Sequence, residues 1–193
     1  MHYIQGGFGE IRELPRCEVG PEAFDAMFGV TSVFAHGLHK FILGPLDISR
    51  DRCWITDLVK VFLFKPDHIR NYSREGQSPE FKSIRAEFNR YAKRSLGFLE
   101  QEIEIAQPVL VLTLGEEVAR VVSDDYETPT RILLVGAPHE NTVGRTRCTV
   151  AHVAYPDACR RSVVWRSRTS GQMRLLRTYL SKHEIALDSR DGT

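Results

Sequence analysis

The sequence predicts an α/β fold of three layers, α/β/α, with a central, mostly parallel four-stranded sheet. Three observations carry this. Short apolar runs alternate with longer stretches of helical periodicity along the chain. The runs are apolar nearly throughout rather than alternating, as in strands buried on both faces. The length of 193 residues, with 42% hydrophobic and 26% charged residues, suits one domain with a full core.

Residues 2–5 make a short first strand before the glycine-rich Gly6-Gly7-Phe8-Gly9. Residues 21–28 and 31–43 have helical patterns, with Gly29 between them. Residues 53–62 form an apolar, β-branched run expected as a strand, and Lys65-Pro66 closes it as a basic loop. The longest helix is expected over residues 78–106: Ser78 caps it, Pro79 takes its first position, and Phe81, Ile84, Phe88, Tyr91, Leu99 and Ile103 share a face. Gly97 divides it in two. Pro108 introduces a continuous apolar strand over residues 109–114, which Gly115 ends, and residues 116–123 are helical. Residues 131–135 and 147–153 read as two further strands, and residues 170–183 as an amphipathic helix. The domain is expected over residues 1–187, with 188–193 a frayed tail.

Bulk properties exclude several classes. The formal charge of +1 gives no evidence for a nucleic-acid partner, so any basic surface is local, around residues 70–94 and 160–177. No run of 18 apolar residues exists, so no membrane span is expected, and Met1 to Gln5 does not begin a secretory signal. Cys17, Cys53, Cys148 and Cys159 have no CxxC spacing. No metal or other cofactor is expected, and free thiols suit a reducing, cytoplasmic location. The oligomeric state is not legible.

In a parallel sheet the ligand site lies beyond the carboxyl ends of the strands. The segments there are residues 6–10, 57–65, 115–117 and 152–161. Four stretches resemble the uracil-DNA glycosylase superfamily, above all the branch typified by thermostable iron–sulfur enzymes. "ISRDRCWITDLVKVFLFKP…RN", Ile48 to Asn71, is similar to a polar turn, an aromatic-Ile-Thr-Asn strand end and a Pro/Arg/Asn loop. "LEQEIEIAQPVLVLTLGEEVA", Leu99 to Ala119, resembles a helix–Pro–strand–Leu-Gly-x-x-Ala segment. "VAHVAYPDACRR", Val150 to Arg161, resembles a late His-Pro-Ser loop, and "SVFAHGLHKFIL", Ser32 to Leu43, brings Phe34 to the place of an aromatic that stacks on uracil. The similarity covers about Ser32 to Leu180, and the order and spacing of the stretches carry it. The chain departs from the pattern too. It lacks the cluster cysteines, the first loop lacks its proline and its acid, Asp57 replaces the uracil-reading Asn, and Tyr155 replaces the late histidine.

The resemblance implies a DNA partner and hydrolysis of the N-glycosidic bond of a deaminated or damaged base flipped from the duplex. It also implies roles. Phe34 stacks on the base, or is a core residue of its helix. Asp57 reads the base edge, pairs with Lys60 or an arginine, or caps a helix. A carboxylate offers acceptors alone, so a base edge with two donors suits it better than uracil. His152 donates to the departing base, or is a satisfied core histidine. Tyr155 stands at the motif position and donates through its hydroxyl, or packs. Glu10, or Glu13, activates water, or is a surface acid. Lys60, Lys65, Arg70, Arg160 and Arg161 contact phosphates, or are solvated, and Arg166 and Arg168 extend the patch beside Trp165. Two alternatives stay open: a non-catalytic nucleic-acid or nucleotide-binding module of the same fold, and a different α/β enzyme acting on free nucleosides.

Overall fold

The computed structural model describes residues 33–59, 70 and 85–188. The expected elements at 2–5, 6–9 and 21–28, and the stretches 60–69 and 71–84, lie outside the described residues.

Helix α1 (Val33–Leu38) passes into a π-helical turn (His39–Leu43) and a short α2 (Gly44–Leu46). Pro45 has no N–H to donate, and the ladder ahead of it widens, with the Gly44 N–H reaching back to the His39 carbonyl. Asp47, at φ 61°, ends the run. Leu38, Ile42, Leu43 and Leu46 face inward.

A 3₁₀ turn (Arg50–Arg52) leads into residues 53–59, where a strand was expected. The described part of this segment is irregular. Trp54 and Ile55 are exposed, Thr56 Oγ1 donates to Glu102 Oε1 at 3.3 Å, and Leu58 is buried against Leu99 and Ile103. The segment runs along a helix, outside the sheet. That helix, α3 (Phe88–Ala106), follows a 3₁₀ turn (Arg85–Glu87) and passes unbroken through Gly97, which is exposed and has open space around it. Ala92, Ser95, Leu99 and Ile103 form its buried stripe, and left-handed Gln107 closes it.

Among the described residues the sheet has three strands, β1 (Val111–Leu114), β2 (His139–Val143) and β3 (Thr146–Val153), in the order β1-β3-β2. β1 runs parallel to β3, pairing Val111 with Val150 and Thr113 with His152, while β2 is antiparallel to β3. Among the described residues the sheet is therefore mixed and three-stranded, where a mostly parallel four-stranded one was expected. Two described segments differ from expectation, residues 53–59 of the strand expected over 53–62 and residues 131–135, while the strand expected at 2–5 lies outside the described residues. The second of the two holds a helical turn, α5 (Thr130–Leu133), that follows α4 (Glu116–Ser123). Leu133 and Leu134 are buried side by side while Ile132 and Val135 are exposed, which no strand's alternation allows.

The alternation along β1 and β3 sends side chains to two cores. Val111, Cys148 and Val150 pack against α3 and α4, with Val121 and Val122. Leu112, Leu114, Ala151 and Val153 pack against α1, α2 and the long α7 (Val163–Asp188). Helices thus cover both faces of the sheet.

Gly144 and Arg145 join β2 to β3, with Gly144 at φ 61° in the first position of a II′-type hairpin turn. A Cβ there would run into the Glu100 carboxylate, which itself accepts the Arg145 backbone N–H at 2.6 Å. Gly144→Ala is expected to cost about 2 kcal/mol, joining left-handed strain to the loss of the Glu100 contact. Urea denaturation measures it, and an unchanged midpoint would contradict the turn geometry.

Candidate functional site

Because β1 and β3 run parallel, their carboxyl ends open at the same edge. Gly115 leaves β1 there at φ 96°, and its N–H donates to the Val153 carbonyl at 2.8 Å. Tyr155 leaves β3 at the same level, and a Cβ on Gly115 would lie 3.4 Å from the Tyr155 Cβ. That is ordinary contact, so it is the backbone conformation that favours glycine at 115. Tyr155 is 43% exposed. Partial burial, and then the carboxylates of Asp57 and Asp157, push its phenol above the ordinary value, so it remains a donor at neutral pH. The Asp57 carboxylate thus acts on Tyr155 through its charge, with burial the larger cause of the shift.

Tyr155 precedes α6 (Pro156–Arg161), a helix where a loop was expected. The start and stop signals are in the sequence: Pro156 at the first position, Asp157 in the first turn, Arg160 and Arg161 in the last. Asp157 accepts from Arg160 Nε at 3.0 Å and Nη2 at 2.8 Å, and pairs with Arg161 as well. Those hydrogen bonds hold its carboxyl below the usual range. Both expected phosphate-binding arginines are exposed, but one carboxylate already engages them.

Gly37 of α1 lies against Pro156, so close that a Cβ would sit 3.0 Å from the proline Cβ. A cleft of about 250 Å³ opens beside this contact, with His36, Lys40 and Phe41 on one wall and Pro156, Asp157 and Arg160 on the other. Lys40, four residues from His36, was not singled out from the sequence.

His152 sits elsewhere. It is 3% exposed, on the sheet face toward α3 and α4, with Nδ1 2.6 Å from Thr113 Oγ1. The ring of His139, whose partner across the ladder is Val150, meets it edge-on from the diagonal position at 5.2 Å. Burial, and then His139, lower its pKa from 6.5 to about 4, so it is neutral at pH 7. Its Nε2 is buried with no hydrogen-bond partner among the described residues. The surroundings of His152 are Thr113, His139 and Asp125, none of them a residue of the expected pocket.

Phe34 lies on α1, with its side chain outside the described residues; Glu10, Glu13, Lys60 and Lys65 also lie outside them. Arg70 is exposed. Arg166 donates to the Cys159 and Arg160 carbonyls at 3.2 and 2.9 Å, closing the end of α6, and the Arg168 guanidinium lies 5.5 Å from the Trp165 ring centroid. Among the described residues no group of three or more His, Cys, Asp or Glu side chains can hold a metal ion, and no helix is long and apolar enough to cross a membrane.

No protein-family model matches this chain, and no curated protein matches it.

Proposed function

We propose that this chain is a uracil-DNA-glycosylase-like protein, which binds DNA and hydrolyses the N-glycosidic bond of a deaminated or damaged base. The observation that supports this best is the approach of Gly115 and Tyr155 at the shared carboxyl edge of β1 and β3, where the charge of Asp57 is felt by the Tyr155 phenol. That edge is where parallel strands deliver ligand-binding groups.

In this reading the Asp57 carboxylate accepts from donors on the base edge. The Tyr155 hydroxyl donates to a base oxygen as charge builds on it. The bond from C1′ to the base nitrogen breaks, water adds its hydroxyl to C1′, and the proton it gives up leaves with the base. Glu10 or Glu13 is the acid proposed to orient that water. Phe34 stacks on the base, and Lys60, Lys65, Arg70, Arg160 and Arg161 hold flanking phosphates.

The test is base release from duplexes carrying uracil, hypoxanthine or xanthine. Asp57→Asn restores a donor beside the acceptor, and it is expected to shift relative rates toward uracil by about tenfold, the worth of one matched hydrogen bond near 1.4 kcal/mol. Equal base preference in the two proteins would remove Asp57 from recognition.

The placement of His152 favours a second reading. A buried, neutral histidine bound to Thr113 leaves the edge short of one expected donor. A non-catalytic nucleic-acid-binding module of the same fold needs no such donor. It would bind duplex with strong salt dependence and leave no alkali-labile sites.

A further inference from the structure

The formal charge of +1 conceals a segregation. Residues 158–183 contain seven arginines and lysines and no aspartate or glutamate. The other 167 residues then hold 19 basic against 25 acidic residues, a net charge of −6. Most of the basic stretch is α7, whose inner side is occupied by core packing: Met173 and Leu176 are fully buried and Gln172 donates to the Leu134 carbonyl at 2.6 Å. The cations are therefore forced outward.

Arg174, Arg177 and Lys182 line one shallow depression on the outer face of α7. Between them lie Thr178 and Ser181, whose hydroxyls turn back to the Arg174 and Arg177 carbonyls at 3.1 and 2.9 Å. Short side chains folded onto their own helix leave the surface between the cations open. Arg177 meets Asp47 at 2.6 Å, while Arg174 and Lys182 meet no carboxylate among the described residues. Tyr179 reaches Thr149 in the middle of β3, so this end of α7 runs away from the edge that holds Tyr155.

We propose that the outer face of α7, from Arg174 to Lys182, docks the phosphodiester backbone of nucleic acid at a surface separate from the candidate site. The stretch covers about 12 Å at ~1.5 Å per residue. Duplex DNA presents about seven phosphate charges over that length, at ~1.7 Å each. Two of the three cations on this face are arginines, whose planar fork matches phosphate oxygens. A lipid surface fits less well, because the apolar side an interfacial helix inserts is here inside the core. The surface does not depend on base excision, and a module that only binds would use it equally.

The experiment is fluorescence anisotropy of the full chain with a labelled duplex of about 20 base pairs, between about 50 and 200 mM salt. Arg174→Gln with Lys182→Gln is expected to weaken binding about tenfold or more and to make the slope of log affinity against log salt shallower by about two. Arg174→Glu with Lys182→Glu is expected to weaken it further. Both positions are exposed, so an unchanged thermal midpoint is expected to accompany these losses. Unchanged affinity and slope in the Glu pair would overturn the proposal. So would an absence of duplex binding by the parent chain, or parent binding to phosphatidylserine vesicles in place of duplex. Base release with unaltered binding by the Glu pair removes this surface and leaves the proposed activity. Loss of binding in the variants, with no base release from the parent, does the reverse.

Discussion

Between pH 6.5 and pH 4 the fold is expected to lose about 3 kcal/mol of stability through His152 alone. The sign follows from the two states. In the unfolded chain the imidazole takes up its proton near pH 6.5; in the folded chain it resists until about pH 4. Above 6.5 both forms are neutral and His152 adds no pH dependence. Below that, the unfolded state binds more protons than the folded one, so stability falls with pH, and the fall from this group ends once both are protonated. Two features of the site cause it. The ring is buried between sheet and helices, and His139 meets it diagonally across the β2–β3 ladder; Asp125 opposes them more weakly. Glu116, Asp125 and Asp157 also have lowered pKa values, but as carboxylates they act in a more acidic window. Urea midpoints across the pH range measure the effect. His152→Gln keeps a side chain able to bond Thr113 and is expected to flatten the profile between 6.5 and 4. An NMR midpoint for His152 near 6.5 would refute the prediction.

The elements legible in the sequence are those whose periodicity and burial agree. β1 is a continuous apolar run because helices cover both its faces, and the stripe of α3 repeats at helical spacing because one side meets the sheet. β2 was invisible. It is an edge strand reading His-Glu-Asn-Thr-Val, and of these only Val143 is buried. Pairing with β3, and the Gly144 turn, make it a strand rather than any pattern of its own. Residues 131–135 carry strand-like composition, yet Pro129 stands at the entry of a helical turn and two adjacent leucines are needed in the core. At 53–59 the apolar residues suggested burial, while the structure exposes Trp54 and Ile55 and keeps Leu58 alone of the three inside.

The candidate site was legible in part, and for a similar reason. Tyr155 and Asp57 belong to segments expected at strand ends, and sequence order alone points to that edge. For His152 the sequence leaves two readings, a donor at the site or a satisfied core histidine, and the structure has it buried. In a strand, facing decides between them: His152 shares a face with Val150 and Cys148, which point into the core. The pairing of Asp157 with both arginines is visible in three- and four-residue spacing only once α6 is known to be a helix.

Leu176→Ala is expected to be the most destabilising of the substitutions considered, by about 3–5 kcal/mol, or roughly 10 °C in thermal midpoint for a domain of this size. Leu176 is fully buried in the core shared by α1, α2, α7 and the Ala151 and Val153 face of the sheet. Its neighbours come from three separate stretches of chain, and Pro45 and the π-helical turn fix the path of one of them, so the void cannot close by a small shift of a single helix. Removing the side chain loses its transfer free energy and leaves a cavity, which sets the size of the effect. Leu175 gives the contrast. One residue earlier, it is 61% exposed, and Leu175→Ala is expected to change stability by no more than about 0.5 kcal/mol. The pair fixes the rotation of α7 about its axis. That rotation puts Arg174 and Lys182 in solvent while Met173 and Leu176 face the sheet. Chemical denaturation of the two alanine variants measures the difference. Equal losses would mean that α7 is rotated from this orientation, and the basic face would then have to be redrawn along with the core.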